Sequence, residues 1–429
     1  MADEGDRLSE DDARILALES AVLAGHTLKL MILAPGTPLD LEALRRSVSA
    51  RLAEQPRATQ RVVTDSAGEA RWVPAIGFDI TQHVRRRAGT ECATPDDLRR
   101  ILGDLMSEHL DRSRPLWTLD LIGPLADGTE AIAARLHHAM VDGIAGLRFL
   151  EGILLDPRDA PMHPVGTRAS EDEDARRDEW RRMPGVVVRE LVHPGSRSPF
   201  DRPITMAREV AFTAAPLDGL KAIGASRPAH ATVNDVLLAV VSGGLRTWLD
   251  EHHPGLDLRA RVPVSLHHRD EDTTAPGNRD SFIDVDLFLA EPDPLRRLDR
   301  ISARTRTEKQ RDDAALLYDL FHALGRLGRA GELAERMAGS AREFSVAISN
   351  VPGPRDPVAV AGRRVEQLFS SSEPAAHHAL RVAAISNAGE VGIGFCTDPT
   401  ALPRVHALAD AVAASYRDLS RAAASTPGA

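Results

Sequence analysis

A chain of 429 residues is far longer than one small domain needs, and two domains of about 200 residues each are expected. With 43% apolar and 27% charged residues, the composition is that of a globular protein and excludes disordered, collagen-like and coiled-coil classes. The net charge of −10, from 63 acidic against 53 basic residues, provides no basic footprint for a nucleic-acid partner. Arginine supplies nearly all the positive charge, since lysine occurs only at Lys29, Lys221 and Lys309. The two cysteines, Cys92 and Cys396, build neither a disulfide framework nor a Cys-rich metal site, and they fit a reducing compartment. The stretch from Met1 to Asp12 is acidic and polar, unlike a Sec-type signal peptide. The best apolar run, Val236 to Leu245, is interrupted by Ser242, Gly243 and Gly244 and does not reach membrane-spanning length. A cytoplasmic protein is expected, with peripheral membrane contact left open.

Ser9, with Asp12 three residues on, caps a helix expected from Ser9 to Glu19, with Ile15, Leu16 and Leu18 as its apolar positions. Leu28 to Leu33 reads as a buried strand. Asp40 ahead of Leu41, Leu44, Val48 and Leu52 signals a second helix at the spacing of one buried face. A third helix is expected from Pro95 to about Leu110. Ala131 to Leu136, short, apolar and flanked by polar turns, reads as a strand. Gly143 to Leu155 follows it as an amphipathic helix through Ile144, Leu147, Leu150 and Leu154.

From Asp156 to Pro203 the texture changes: seven prolines and the acidic run Glu171 to Asp174 leave room for one helix, near Asp174 to Met183. Compact domains seldom contain such a stretch, so it reads as an inter-domain crossover. The chain then divides into residues 1–155, a linker over 156–203 and residues 204–429. In the second half the pattern predicts a helix from Asn234 to Asp250 and strands near Arg259 to Leu266 and Ser281 to Ala290. A helical region from Pro294 to about Ala341 follows, then strands near Ser345 to Ile348, Leu380 to Ile385 and Val391 to Phe395. The closing helix is expected from Pro403 to Leu419. Both halves mix helices and strands without strict alternation, which points to two sandwiched α/β domains.

The strongest chemical signal is His137-His138-Ala139-Met140-Val141-Asp142-Gly143, between a strand and a helix. A histidine at a strand end can project into a cleft as a general base. Asp142, at a helix start, can accept backbone N–H groups or hold an arginine, and Gly143 lets the backbone turn. A His-His pair alone says little, because eight of the 16 histidines fall in such pairs, and for the motif in isolation a solvated or capping role is the more common reading. Metal binding by His138 and Asp142 lacks a third ligand at suitable spacing.

The His-His-x-x-x-Asp-Gly order after a strand resembles the active-site motif of chloramphenicol acetyltransferase-like acyltransferases and peptide-synthesis condensation domains. Pro115-Leu116-Trp117, followed by Gly123, resembles the Pro-Leu-Trp motif of the bacterial wax ester synthase/diacylglycerol acyltransferase family. Asn234-Asp235-Val236-Leu237-Leu238-Ala239, leading to Gly244-Leu245-Arg246, resembles that family's Asn-Asp helix. Arg261-Val262-Pro263-Val264-Ser265, Gly277-Asn278-Arg279 and Ser349-Asn350-Val351-Pro352-Gly353-Pro354 resemble further segments, and Leu8 through Glu19 to His26 follows the family's opening. The resemblance spans about residues 8 to 420, with the motifs in order. His267-His268 and the polar segment Ser370 to His378 depart from the pattern, which bears on the acceptor rather than the reaction.

The resemblance implies two chloramphenicol acetyltransferase-like domains, with mixed sheets flanked by helices and an active-site tunnel between them. It implies an acyl-CoA-dependent O-acyltransferase in which His138 is the general base, His137 orients the loop, and Asp142 and Gly143 shape it. Asn234, Asp235, Trp117, Ser349 and Asn350 are then substrate-binding positions. The expected acceptors are diacylglycerol and long-chain alcohols, with acyl-CoA as co-substrate and no cofactor or metal. The same chemistry on a secondary metabolite, sugar or amine, from CoA or a carrier-protein thioester, is the second reading, motivated by the 370–378 segment. A non-catalytic lipid or CoA-thioester binder is the third. Read alone, Trp117 is a core tryptophan, Asn234 and Asp235 an N-cap pair, and Arg85 to Arg87 a solvated face. Peripheral contact with an inner membrane or lipid-droplet surface fits such substrates, and the oligomeric state stays open.

Overall fold

The computed structural model describes residues 5–66, 68–141, 143–157, 198–250, 256–265, 280–310 and 344–425. The chain begins with β1 (Asp6–Arg7) and α1 (Glu10–Ala17), whose N-cap Ser9 accepts the N–H of Asp12. β2 (His26–Leu33) is a central strand buried on both faces. α2 (Leu41–Ser49) is capped by the Asp40 carboxylate, which accepts from Glu42 and Ala43. The short β3 (Gln60–Thr64) and β4 (Ala70–Pro74) pair with β1 in a small sheet, and β5 (Val84–Arg86) follows. α3 (Pro95–Met106) starts in a Thr94–Asp97 capping box with proline in its first turn. It stops short of Leu110 because Arg135 donates to the carbonyls of Leu105 and Glu108, satisfying backbone acceptors at the helix end. β6 (Trp117–Ile122), β7 (Glu130–His137) and α4 (Gly143–Ile153) complete this half.

After residue 198 come β8 (Glu209–Pro216), α5 (Leu217–Ala225), α6 (Val233–Asp250), β9 (Arg259–Ser265) and β10 (Asp280–Asp286). α7 (Pro294–Gln310), β11 (Val346–Val351), β12 (Ala359–Val360), β13 (Arg363–Ser372), β14 (Leu380–Asn387), β15 (Glu390–Thr397) and α8 (Val405–Ser425) follow. The crossover residues 158–197, with the helix expected near Asp174, and the residues beyond 310 in the expected helical region up to 341 lie outside the described residues.

Two six-stranded sheets carry the fold. The second runs β10-β9-β11-β14-β15-β8, with β11 parallel to both neighbours and the other pairs antiparallel. The first runs β12-β13-β2-β7-β6-β5. Its membership corrects the expected division of the chain: β12 and β13 come from the second half yet complete the first sheet. The C-terminal unit is therefore not the continuous stretch 204–429. The reason is physical. Without β13, β2 would present an open apolar edge, and β13 pairs with it from Val365 opposite Leu33 to Ser372 opposite Thr27. β13 then packs against the second sheet at Gly392 and Gly394 of β15, where a Cβ would collide with the carbonyls of Leu368 and Ser370. No larger residue would allow that approach.

Alternation along β2 divides the first sheet's packing. Leu28 and Leu30 meet Leu102, Leu105 and Met106 of α3, while Met31 and Leu33 meet Leu44, Val48, Leu147 and Leu150 from α2 and α4. Glu130, fully buried at the start of β7, accepts from the Leu39 N–H, from Arg86 and from Arg363 of β13, which binds the crossing strand to its host sheet. Arg85 forks onto the buried Asp120 and Arg87 reaches Glu108, so the 85–87 run closes ion pairs rather than forming a solvated face.

Trp117, expected as a substrate contact, is a core residue. It is fully buried, donates its indole N–H to the Ala58 carbonyl at 2.9 Å, and packs against His83 and Phe149. Trp117→Ala is expected to cost about 3–5 kcal/mol of stability, measured by urea unfolding. Unchanged stability with weakened substrate binding would return Trp117 to the substrate side.

Candidate active site

β7 ends at His137, and the next four residues fold into a tight turn in which Met140 and Val141 both donate to the His137 carbonyl. The His138 N–H is taken by the carbonyl of Gly25, in the loop before β2, at 2.9 Å. Gly25 has φ +71°, and a side chain there would strike the ring of His137. The reacting turn and the 20–25 loop therefore fit as a pair.

His137 is fully buried, and its hydrogen bonds fix its tautomer. Nδ1 accepts the Ala139 N–H at 3.0 Å, so Nε2 carries the proton and donates to Glu19 Oε1 at 2.6 Å. The other Glu19 oxygen lies 2.6 Å from Arg112 Nε, and Arg112 also donates to the Leu16 carbonyl. Burial pushes the Glu19 carboxyl up, but the hydrogen bonds from His137 and Arg112 and the charge of Arg112 outweigh it and hold the group below the usual carboxylate range. His137 thus orients the turn through an anchored carboxylate. Sequence reasoning placed Glu19 in the family-like opening without giving it this role.

His138 is half-buried, with its pKa pushed down to about 3 by burial first, then by the charges of Arg381 and Lys29. Its imidazole is neutral at physiological pH and able to accept a proton. Lys29, on β2, is 2% exposed and donates to Ser370 Oγ of β13 at 2.7 Å and to Thr27 Oγ1 at 3.3 Å. Arg381, on β14, is half-buried, and burial alone lowers its pKa to about 10. Both cations were missed, although each interrupts an apolar strand and Lys29 is one of only three lysines.

A second carboxylate ties the turn to the other half. Glu373, just past β13, accepts the N–H groups of Ala24 at 3.0 Å and Gly25 at 2.6 Å and lies 3.4 Å from Arg208. Arg208 also donates to the carbonyls of Val22 and Ala207, while its own backbone N–H meets Ser107 Oγ of the loop after α3. Burial pushes the Glu373 carboxyl up, against the Ala24 and Gly25 hydrogen bonds and the Arg208 charge.

The remaining expected site residues are dispersed. Asp142 lies outside the described residues. Gly143 packs where a Cβ would sit 2.8 Å from Val351. Ser349 shares the face of β11 that carries Val351, whereas Asn350 lies on the opposite face, the side covered by α6. Asn234 is half-buried in the first turn of α6. Asp235 corrects the expectation of a substrate contact. Its buried carboxylate accepts the Thr232 N–H and the hydroxyls of Ser302 and Thr305, so it caps α6 and ties it to α7. Among the described residues, no cluster of three His, Cys, Asp or Glu side chains is arranged to hold a metal, and no helix is long and apolar enough to cross a membrane.

This architecture is the two-domain α/β fold shared by acyl-transferring enzymes and peptide-synthesis condensation domains. The wax ester synthase/diacylglycerol acyltransferase from Marinobacter aquaeolei VT8 superimposes with a TM-score of 0.71 at 23% identity, over 97% of this chain and 100% of that one. The first condensation domain of the CDA synthetase gives 0.61 at 18% identity, over 100% and 98%. Residues 8–194 match the wax ester synthase/diacylglycerol acyltransferase catalytic domain, and residues 276–420 match the WS/DGAT C-terminal domain. The O-acyltransferase WSD of Acinetobacter baylyi is 30% identical over 79% of this chain and 80% of its own length. A Mycobacterium tuberculosis protein named "Probable diacyglycerol O-acyltransferase tgs2" is 29% identical over 97% of this chain and 99% of its own length. The chain belongs to the wax ester synthase/diacylglycerol acyltransferase family and is an acyltransferase.

With the His138 ring already neutral, kcat/KM is expected to stay level as the pH falls from about 8 to about 5, instead of declining through the ordinary histidine range near 6.5. An acid limb centred near 6.5 and lost in a His138 variant would contradict this assignment. Glu19→Ala is expected to lower kcat about 10- to 100-fold, the scale of a lost charge-assisted hydrogen bond, with little change in KM. Steady-state kinetics beside a thermal melt checks it, and wild-type kcat would remove Glu19 from the positioning of the turn.

Proposed function

We propose that this enzyme transfers a long-chain acyl group from acyl-CoA to an alcohol, with His138 as general base. The observation carrying the reading is a neutral imidazole at the junction of the two sheets, its backbone pinned by Gly25 and its neighbouring ring pinned by Glu19. The acceptor oxygen attacks the thioester carbonyl as its proton passes to His138. The tetrahedral adduct then expels the CoA thiolate, which takes the proton back. The C–O bond replaces the C–S bond and leaves no acyl group on the enzyme, since the thioester is already activated. Acyl-CoA is a co-substrate, and the reaction needs no cofactor or metal.

The names of the relatives supply the acceptor classes: diacylglycerol for triacylglycerol synthesis and long-chain alcohols for wax esters. Substrates of this kind fit a cytoplasmic enzyme working at an inner-membrane or lipid-droplet surface. Acylation of a more polar acceptor is the second reading, favoured by the cations around His138.

The test is thiol release from palmitoyl-CoA with hexadecanol or a diacylglycerol, wild type beside His138→Ala. Release is expected to require an acceptor and to fall by at least about 10²-fold in the variant, the lower end of general-base contributions. Full activity in His138→Ala would overturn the mechanism.

A further inference from the structure

The residues between α1 and β2 supply the Gly25 carbonyl on which the His138 N–H rests. They form a tight turn rather than part of a sheet. Ser20 and Leu23 exchange backbone hydrogen bonds at 3.0 and 3.3 Å, and Ser20 Oγ accepts the Val22 N–H. A turn with so few bonds of its own has little local stability, so its place is set by the side chains that grip its backbone.

Those grips come from separate directions. Arg112, beyond α3, donates to the Leu16 carbonyl and pairs with Glu19. From the second half, Arg208 donates to the Val22 carbonyl, and Glu373 accepts the N–H groups of Ala24 and Gly25. His109 adds a further one: its Nε2 lies 2.9 Å from the Ser20 carbonyl oxygen and 3.1 Å from that of Leu23. A carbonyl only accepts, so Nε2 carries a proton here and serves both oxygens through one bifurcated bond. Ser20 and Leu23 are the residues that close the turn on each other, so a single ring fixes both of its ends.

His109 itself stands on a firm base. Arg135 of β7 donates to the carbonyls of Leu105 and Glu108, just ahead of it, and Ser107 Oγ accepts the Arg208 N–H. Arg135 precedes His137 on the strand that ends at the reacting turn. Bonds thus run from β7 through Arg135 to the 105–109 segment, across from His109 to Ser20 and Leu23, along the chain to Gly25, and back to His138. The circuit closes on the turn that carries the imidazole. Opening it at His109 frees the Ser20–Leu23 turn to shift relative to β7, and Gly25 with it.

We propose that His109 is a positioning residue for acyl transfer, acting through Ser20, Leu23 and Gly25 on the backbone of His138 rather than on either substrate. The inference rests on the reading of His138 as general base and adds a support that lies outside every motif. Proton transfer depends on where the imidazole stands, and a misplacement of about 1 Å can cost about 10²-fold in rate. The His109 ring is exposed, so replacing it leaves the core intact and the effect falls on rate rather than on folding.

The experiment compares wild type, His109→Leu and His109→Gln in thiol release from palmitoyl-CoA with hexadecanol. Glutamine offers an amide N–H close to where Nε2 stands, whereas leucine fills similar space without a donor. His109→Leu is expected to lower kcat about 3- to 10-fold, the scale of one net hydrogen bond, with KM for both substrates and the melting temperature nearly unchanged. His109→Gln is expected to recover most of the loss. Hydrogen exchange followed by mass spectrometry reads the same link without turnover. The peptides carrying residues 18–25 and His138 are expected to exchange faster in His109→Leu and at the wild-type rate in His109→Gln.

Wild-type kcat in His109→Leu overturns the inference. A change confined to KM also overturns it, since His109 would then act on a substrate. A kcat equally low in His109→Gln, with exchange at the wild-type rate in both variants, overturns it as well, because the loss would not run through the turn. Absence of His138-dependent thiol release with every alcohol overturns the acyl-transfer reading instead. The link from His109 to His138 is then judged on exchange, and is overturned if the His138 peptide is unmoved in His109→Leu.

Discussion

A buried carboxylate from one half of the chain holds the backbone on which the other half's reacting histidine rests. Glu373 follows β13 and accepts the N–H groups of Ala24 and Gly25, and the Gly25 carbonyl receives the N–H of His138. Bonds from backbone N–H to a carboxylate are among the stronger hydrogen bonds, and each is strengthened by its surroundings here. Everything that brings Glu373 to this place is therefore part of the site: the crossing of β13 into the first sheet, the glycines of β15 that admit its backbone, and Arg208 beside it. The sheet exchange and the active site are one construction.

The same junction sets the electrostatics. Glu19 and Glu373 fix geometry from behind the turn, while Lys29 and Arg381 place positive charge in front of it. The negative charge holds backbone and tautomer, while burial first and then the nearby cations keep His138 neutral. The apolar core beginning at Met31 continues the same strands away from the charge.

Much of the first half was legible in the sequence because local signals there agree with the tertiary structure. Ser9, Asp40 and Thr94 cap helices as their residue types suggest, and the His137–His138 strand end lies where the apolar run stops. β13 escaped because its second half reads Ser370-Ser371-Ser372, a polar run with no apolar alternation, yet it is buried by pairing with β2 rather than by its own side chains. β8 escaped for a related reason. Its Glu209–Pro216 sequence is short on large apolar residues, and its burial comes from β15 and the elements packed on it. At the site, motif order pointed to His138 and the reaction class, but motif membership does not separate contact from support. Trp117 and Asp235 lie in family-like segments and prove to be packing and capping residues. Glu19, Lys29, Glu373 and Arg381 meet at the site only through pairings distant in sequence, which spacing alone does not reveal.

The central claim is that His138 is held in working position by an anchor from the other half of the chain. The most direct measurement is kcat of Glu373→Gln, whose amide would turn a donor toward one of the two backbone N–H groups that the carboxylate now accepts. The account predicts a folded enzyme with kcat lowered about 10- to 100-fold and KM for acyl-CoA nearly unchanged. A folded variant turning over at the wild-type rate would show that the site does not depend on this link, and would contradict the account.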